Sequence, residues 1–152
     1  MIQTLKVLGV SVHLAQMNQV LDVIDEWIIS GMSGRYIVAT GMHGLVESRR
    51  DSRLLDVFAG AGLFVPDGFS LVALARMKGY DIKKRVSGPD LMWQACEHAQ
   101  KKGYRVFFYG DTEGTLSTLL DRIRRDLPKL QVAGTFSPPF RDLTPSEDSE
   151  II

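Results

Sequence analysis

The chain has 152 residues, 45% apolar and 24% charged, the mixture of a soluble globular protein with room for one domain and a real core. Its formal net charge is zero, which excludes a global field drawing it to nucleic acid or anionic lipid. Cys96 is the only cysteine, so no disulfide framework forms within the chain, and a reducing compartment fits.

Residues 1–10 (MIQTLKVLGV) lack a charged leader followed by a long apolar stretch, which argues against a secretory signal. No run approaches the ~20 apolar residues that span a bilayer. The expectation is an intracellular, cytoplasmic protein. Short β-branched and aromatic runs then alternate with amphipathic stretches. The spacing predicts strands over Leu5–Val10, Arg35–Ala39, Gly62–Val65, Arg105–Tyr109 and Leu130–Ala133. Val20, Leu21, Ile24, Trp27 and Ile28 share one face of the first helix, and the stretch from Leu45 to Ala61 reads as helix broken at Asp51-Ser52. Gly88-Pro89 supplies a tolerated cap and a proline at the first position of the next helix, whose apolar face is Leu91, Met92, Ala95, Cys96 and Ala99 and whose stop is Gly103. Leu116, Leu119, Leu120 and Ile123 line another. Strand–helix alternation at these lengths implies an α/β fold: a Rossmann-like, mostly parallel sheet with helices on both faces. Past the rigid connector Ser137-Pro138-Pro139, Thr144-Pro145-Ser146-Glu147 has the form of a capping box. A helix so announced should continue and pack on something, so the expectation is the front portion of a larger domain.

In open α/β sheets ligands bind at the carboxyl ends of the strands. Three loops leave such ends. Thr40-Gly41-Met42-His43-Gly44 offers two glycines that let backbone approach a ligand or simply serve the turn, with Thr40 and His43 as hydrogen-bonding groups. Pro66-Asp67-Gly68 holds a carboxylate rigidly. It acts either as a general base or hydroxyl acceptor, or as the cap of the helix that begins near Phe69. Gly110-Asp111-Thr112-Glu113-Gly114 is a strand–glycine–helix turn that can present N–H groups to phosphate, although Asp111 or Thr112 also suits a plain N-cap. Arg85, just ahead of Ser87-Gly88-Pro89-Asp90, is either a diphosphate-binding cation at a helix start or an exposed loop arginine.

Other chemistries are excluded. The sequence has no D-x-D for chelating a nucleotide-bound metal, no zinc spacing among its three histidines and one cysteine, and no G-x-S-x-G elbow. Without a G-x-G-x-x-G fingerprint, a dehydrogenase or methyltransferase on such a sheet is disfavoured. Neither a metal nor another cofactor is expected. Lys83-Lys84-Arg85 is too short a cluster to indicate nucleic-acid binding.

Taken in order, Pro66-Asp67-Gly68, Arg85-Val86-Ser87-Gly88-Pro89-Asp90-Leu91, Phe107-Phe108-Tyr109-Gly110-Asp111 and Ser137-Pro138-Pro139-Phe140-Arg141 resemble the WecG/TagA/CpsF glycosyltransferases, family 26. The resemblance runs from about Val7 to Ile152. It implies inverting, metal-independent transfer of an N-acetylmannosamine-type sugar from a UDP donor to a sugar on polyprenyl diphosphate. The setting is the cytoplasmic face of a bacterial membrane, in the synthesis of teichoic acid, enterobacterial common antigen or exopolysaccharide. By position, Asp67 matches the family's proposed base and Arg85 the arginine associated with phosphate. Thr40, Gly41, His43 and Gly68, with Gly88, Gly110 and Asp111, are then the substrate-binding positions. Many members have T-x-N at the first loop, and Ala39, Thr40 and Gly41 fall on those three positions, so the expected asparagine is Gly41 here. Members also continue through a P-K-Q-E-type motif and, in some, a membrane-attaching segment, neither of which this sequence contains. The open sheet edge expected here favours self-association. A non-catalytic nucleotide-sugar-binding or assembly module is the competing reading.

Overall fold

A computed structural model describes residues 2–151, which divide into two compact units, Met1–Ala95 and Cys96–Ile152. The α/β class is borne out: two parallel strand pairs and one antiparallel pair, with helices between them.

The first unit opens with β1 (Thr4–Val7) and β2 (Val10–His13), paired antiparallel with Val7 opposite Val10. The single strand expected over Leu5–Val10 is therefore a hairpin. Leu8 and Gly9 both have positive φ (49° and 95°), the handedness a two-residue hairpin turn requires, so the chain reverses where an apolar run appeared to continue. α1 (Met17–Ile29) follows, then β3 (Ile37–Thr40), α2 (Met42–Ser48), α3 (Ser52–Gly60), β4 (Leu63–Pro66) and α4 (Phe69–Met77). The break at Asp51 is as expected: its carboxylate accepts from the Arg53 N–H at 2.9 Å and caps α3.

β3 and β4 pair in parallel, Ile37 opposite Leu63 through Thr40 opposite Pro66. Every residue of β4 is buried. Its side chains alternate between two cores, as the two-residue period of a strand dictates. Leu63 and Val65 join Val20, Ile24 and Trp27 of α1. Phe64 joins Leu45, Phe58, Leu71 and Val72 of α2, α3 and α4. Burial on both faces is what makes a parallel strand read as a continuous apolar run. On its other edge the Phe64 N–H donates to His13 Nδ1 at 3.0 Å, so an imidazole satisfies the strand where no ladder does.

α5 (Gly88–Lys102) contains the division between the units. In the second unit β5 (Arg105–Tyr109) falls where the sequence predicts it and pairs in parallel with β6 (Gln131–Phe136), longer than the expected Leu130–Ala133. α6 (Glu113–Asp126) buries Leu116 and Ile123. α7 (Pro145–Ile151) begins at the predicted capping box: Glu147 accepts from the Thr144 N–H at 2.8 Å and returns its own N–H to Thr144 Oγ1 at 3.3 Å. Cys96 is buried, and burial pushes its thiol pKa up, as befits inert core. Among the described residues no helix is long and apolar enough to cross a membrane.

Candidate active site

Because β3 and β4 run parallel and end in register, the loops after Thr40 and Pro66 emerge side by side. The Asp67 N–H extends the pairing by donating to the Thr40 carbonyl at 3.2 Å. The segment ahead of α5 passes along the same strand end, with the Val86 N–H on the Pro66 carbonyl at 3.0 Å. Arg85 and Gly88 are thereby brought to Asp67. Arg85 Nη1 donates to the Asp67 carbonyl at 3.2 Å and stands 3.8 Å from Oδ1, while the Gly88 N–H donates to Oδ2 at 3.3 Å. Two other chain segments, the end of β3 and residues 85–88, thus hold one aspartate, whose side chain keeps 29% of its surface exposed.

Two local readings of the sequence are corrected by this geometry. Asp67 does not cap the helix after it: the N-cap of α4 is Gly68, which makes no side-chain bond. The carboxylate instead faces the start of α5, where the unpaired N–H groups and positive dipole end favour an anion. Nor is Gly88 the cap of α5. Ser87 takes that place, its Oγ donating to Asp90 Oδ2 and accepting from the Asp90 N–H at 3.4 Å. Its carbonyl takes the Leu91 N–H at 2.8 Å, the first turn of the helix. With Ser87 as cap, Gly88 becomes the first helical residue and its N–H is free to reach Asp67. The signal was present as Ser-x-x-Asp, the spacing of a capping box.

Arg85 is neither an unattached loop residue nor enclosed. Both contacts use Nη1, and 54% of the side chain is exposed. Gly41 is the N-cap of α2 and packs its backbone against Gly68. Thr40 is half-buried at the strand end. His43 is exposed in the first turn of α2, and among the described residues no hydrogen bond joins it to Asp67. The strand-end group in this unit is therefore Thr40, Gly41, Asp67, Gly68, Arg85 and Gly88, with His43 at its margin.

In the second unit Gly110 and Asp111 follow β5 with φ of 126° and 57°. The Gly110 N–H continues the ladder to the Phe136 carbonyl at 3.0 Å, and Ser137 Oγ donates to the Asp111 carbonyl at 2.6 Å. Thr112 is the N-cap of α6, accepting from the Thr115 N–H at 3.2 Å. Asp111 Oδ1 accepts from the Thr112 N–H at 2.6 Å. That bond, with the Thr115 hydroxyl, holds the exposed Asp111 carboxyl below its ordinary pKa. The N–H groups of Thr112 and Thr115 are thus taken by the turn's own side chains. What the turn presents outward is a carboxylate. Among the described residues no three His, Cys, Asp or Glu side chains gather as a metal centre.

The model of the glycosyl transferase WecG/TagA/CpsF family matches residues 5–152. The chain is similar to an N-acetylglucosaminyldiphosphoundecaprenol N-acetyl-beta-D-mannosaminyltransferase of Bacillus spizizenii, 30% identical over 125 residues that cover 75% of this chain and 49% of that protein. A protein of the same name from Bacillus subtilis is 22% identical over 130 residues, 86% of this chain and 51% of its own length. The chain spans about half the length of the curated relatives it matches.

Proposed function

The chain belongs to the WecG/TagA/CpsF glycosyl transferase family, and from that membership we propose that its protein moves an N-acetylmannosamine-type sugar from a UDP donor to a sugar on polyprenyl diphosphate. The observation that carries the reading is Asp67, a carboxylate held by Arg85 and the Gly88 N–H at a parallel strand end and still open to a substrate. On this reading Asp67 is the general base. An acceptor hydroxyl gives its proton to the carboxylate as its oxygen forms a bond to the anomeric carbon. The bond from that carbon to the diphosphate oxygen breaks on the opposite face, and its electron pair leaves with UDP. One displacement on an α-linked donor gives the beta linkage named in both relatives.

The developing charge on the leaving diphosphate needs a cation, and Arg85 is the one beside the base. With Nη1 anchored on the Asp67 main chain, the rest of its exposed guanidinium can reach a phosphate. This assigns to an arginine the part a divalent metal plays elsewhere. Thr40, Gly41, His43 and Gly68 border the acceptor or donor sugar, and Gly88 orients the base. In the second unit Asp111, an exposed anion behind Gly110, suits a donor hydroxyl better than a phosphate. A polyprenyl acceptor places the reaction at the cytoplasmic membrane face, in cell-surface polysaccharide synthesis.

The test is transfer from UDP-N-acetylmannosamine to an N-acetylglucosaminyl diphosphate lipid analogue, following a beta-linked disaccharide. Donor binding is checked first: UDP at about 100 times its Kd should stabilise the chain by ~2.7 kcal/mol. Product formed equally well by Asp67→Asn would remove Asp67 as the base. A second reading, a nucleotide-sugar-binding module without turnover, is favoured by Gly41. Closed against Gly68, it offers no side chain where related enzymes commonly carry asparagine. Donor binding without transfer, even in a chain extended to the full length of its relatives, would select it.

A further inference from the structure

Gly41 and Gly68 meet backbone to backbone, and neither needs glycine for its conformation. Gly41 lies at φ −97°, ψ −165° and Gly68 at φ −77°, ψ 139°, regions that any L-residue adopts. Each is also a helix N-cap, where Ser, Thr, Asp or Asn would satisfy a free N–H, and each leaves its helix without a side-chain cap. What glycine supplies is space. A Cβ on Gly68 would stand 2.9 Å from Gly41 Cα and 3.5 Å from the Met42 nitrogen, atoms of main chain that cannot rotate away. A Cβ on Gly41 would stand 3.2 Å from Gly68 Cα, a conflict that a shift of a few tenths of an ångström relieves.

We infer that Gly68 is a positioning residue: its close seat against Gly41 sets where Asp67, its chain neighbour, meets Thr40 and the start of α5. The inference rests on the reading of Asp67 as the base. The Asp67 N–H reaches Thr40 at 3.2 Å and its carboxylate reaches Gly88 at 3.3 Å, both near the long end of a hydrogen bond. A side chain at Gly68 pushes the loop off the end of β3, and these two contacts stretch first. Gly41 is the more forgiving side of the pair, so the same change there acts in the same direction and more weakly.

The test compares Gly68→Ala and Gly41→Ala in the 152-residue chain. The Gly88 amide resonance reports the carboxylate contact, with Asp67→Ala marking the shift that follows its loss. The Phe64 amide, bonded to His13, is the control for the fold. The Gly88 amide should move strongly in Gly68→Ala and less in Gly41→Ala, with Phe64 unmoved in both. In transfer assays kcat should fall about 100-fold for Gly68→Ala, the scale of an ångström's misplacement, with KM within about twofold. A Gly88 amide that stays in place in Gly68→Ala, or a raised KM at unchanged kcat, overturns the inference. Should Gly68→Ala fail to fold, Gly41→Ala decides: a smaller Gly88 shift supports it and none refutes it. No transfer by wild type, even in a chain extended to the full length of its relatives, together with the expected Gly88 shifts sinks the transferase reading and leaves only the placement of Asp67 by Gly68 standing.

Discussion

Asp67 and Asp111 each stand just past the C-terminal end of a parallel strand, β4 and β5, and the sequence offers them as the same kind of residue. The contacts that hold their side chains differ. The Asp67 carboxylate takes its hydrogen bond from Gly88 and its cation from Arg85, 21 and 18 residues away. The Asp111 carboxylate takes its bond from the next residue, Thr112. A group fixed by distant segments holds one orientation as long as the unit is folded, which a base in a single displacement requires. A group fixed by its own turn serves that turn first, and αL geometry at an aspartate is a common way to build one.

The widest separation between the two is in turnover. Asp67→Asn keeps the Gly88 N–H bond, since the amide oxygen still accepts, and removes the base. A kcat lower by about 10²–10⁴ at little-changed donor KM is expected, with an unaltered far-UV spectrum. Equal losses from Asp67→Asn and Asp111→Asn would erase the distinction.

Next in size is Arg85. Arg85→Lys keeps the charge and loses the planar fork, so the carbonyl anchor and the phosphate reach can no longer be served together. A drop in kcat of about 100-fold is the scale for losing one preorganised donor to developing charge. Steady-state kinetics across 50–300 mM salt sharpen the point, since screening weakens only an exposed attraction and leaves a positioned contact largely alone.

Asp111→Asn is expected to do less, and differently. It weakens the acceptor for a donor hydroxyl and keeps the turn, so KM for the donor should rise by up to about tenfold with kcat unchanged.

How far the sequence reaches can be judged from the same residues. The strand over Arg105–Tyr109, the break at Asp51 and the capping box at Thr144 were all legible because each is written in neighbouring residues. The hairpin was not, because Leu8-Gly9 interrupts no hydrophobic pattern and shows itself only through positive φ. Asp67 stood out as Pro-Asp-Gly, but its true partner did not. The sequence suggests the helix just after it, whereas the pairing of β3 with β4 and the return of residues 85–88 to that strand end place it before α5. The Gly41–Gly68 contact was invisible for the same reason: two glycines that look like turn residues prove to have ordinary dihedrals and no room. Propensity and caps are local. Strand register and backbone contact are set by tertiary packing.

The last and smallest effects carry the contrast from catalysis to stability. His13 is a tertiary contact, its partner Phe64 lying 51 residues away in β4, whereas Glu147 is held by Arg141 and Thr144 close at hand. Burial pushes the His13 pKa below the ordinary 6.5, and the Phe64 N–H on Nδ1 requires that nitrogen to be unprotonated. The folded state therefore binds this proton less readily than the unfolded chain. Its contribution is complete above pH 6.5 and is lost as pH falls through the lower folded value. Urea unfolding of the whole chain should show a midpoint that declines below pH 6.5, and His13→Asn should flatten that decline. Glu147 works on a lower window. The Arg141 guanidinium, together with the Thr144 N–H and hydroxyl, draws its carboxyl from 4.5 to about 2, so what it adds is present above pH 4.5 and disappears towards pH 2. Because those partners belong to one short segment, its loss should loosen the start of α7 and leave the first unit's amides unchanged. Amide exchange followed across both windows separates the two. Protection in β4 should respond to the histidine step and protection in 144–148 to the carboxylate step. A β4 response confined to the lower window would assign its acid sensitivity to carboxylates and take His13 out of the account.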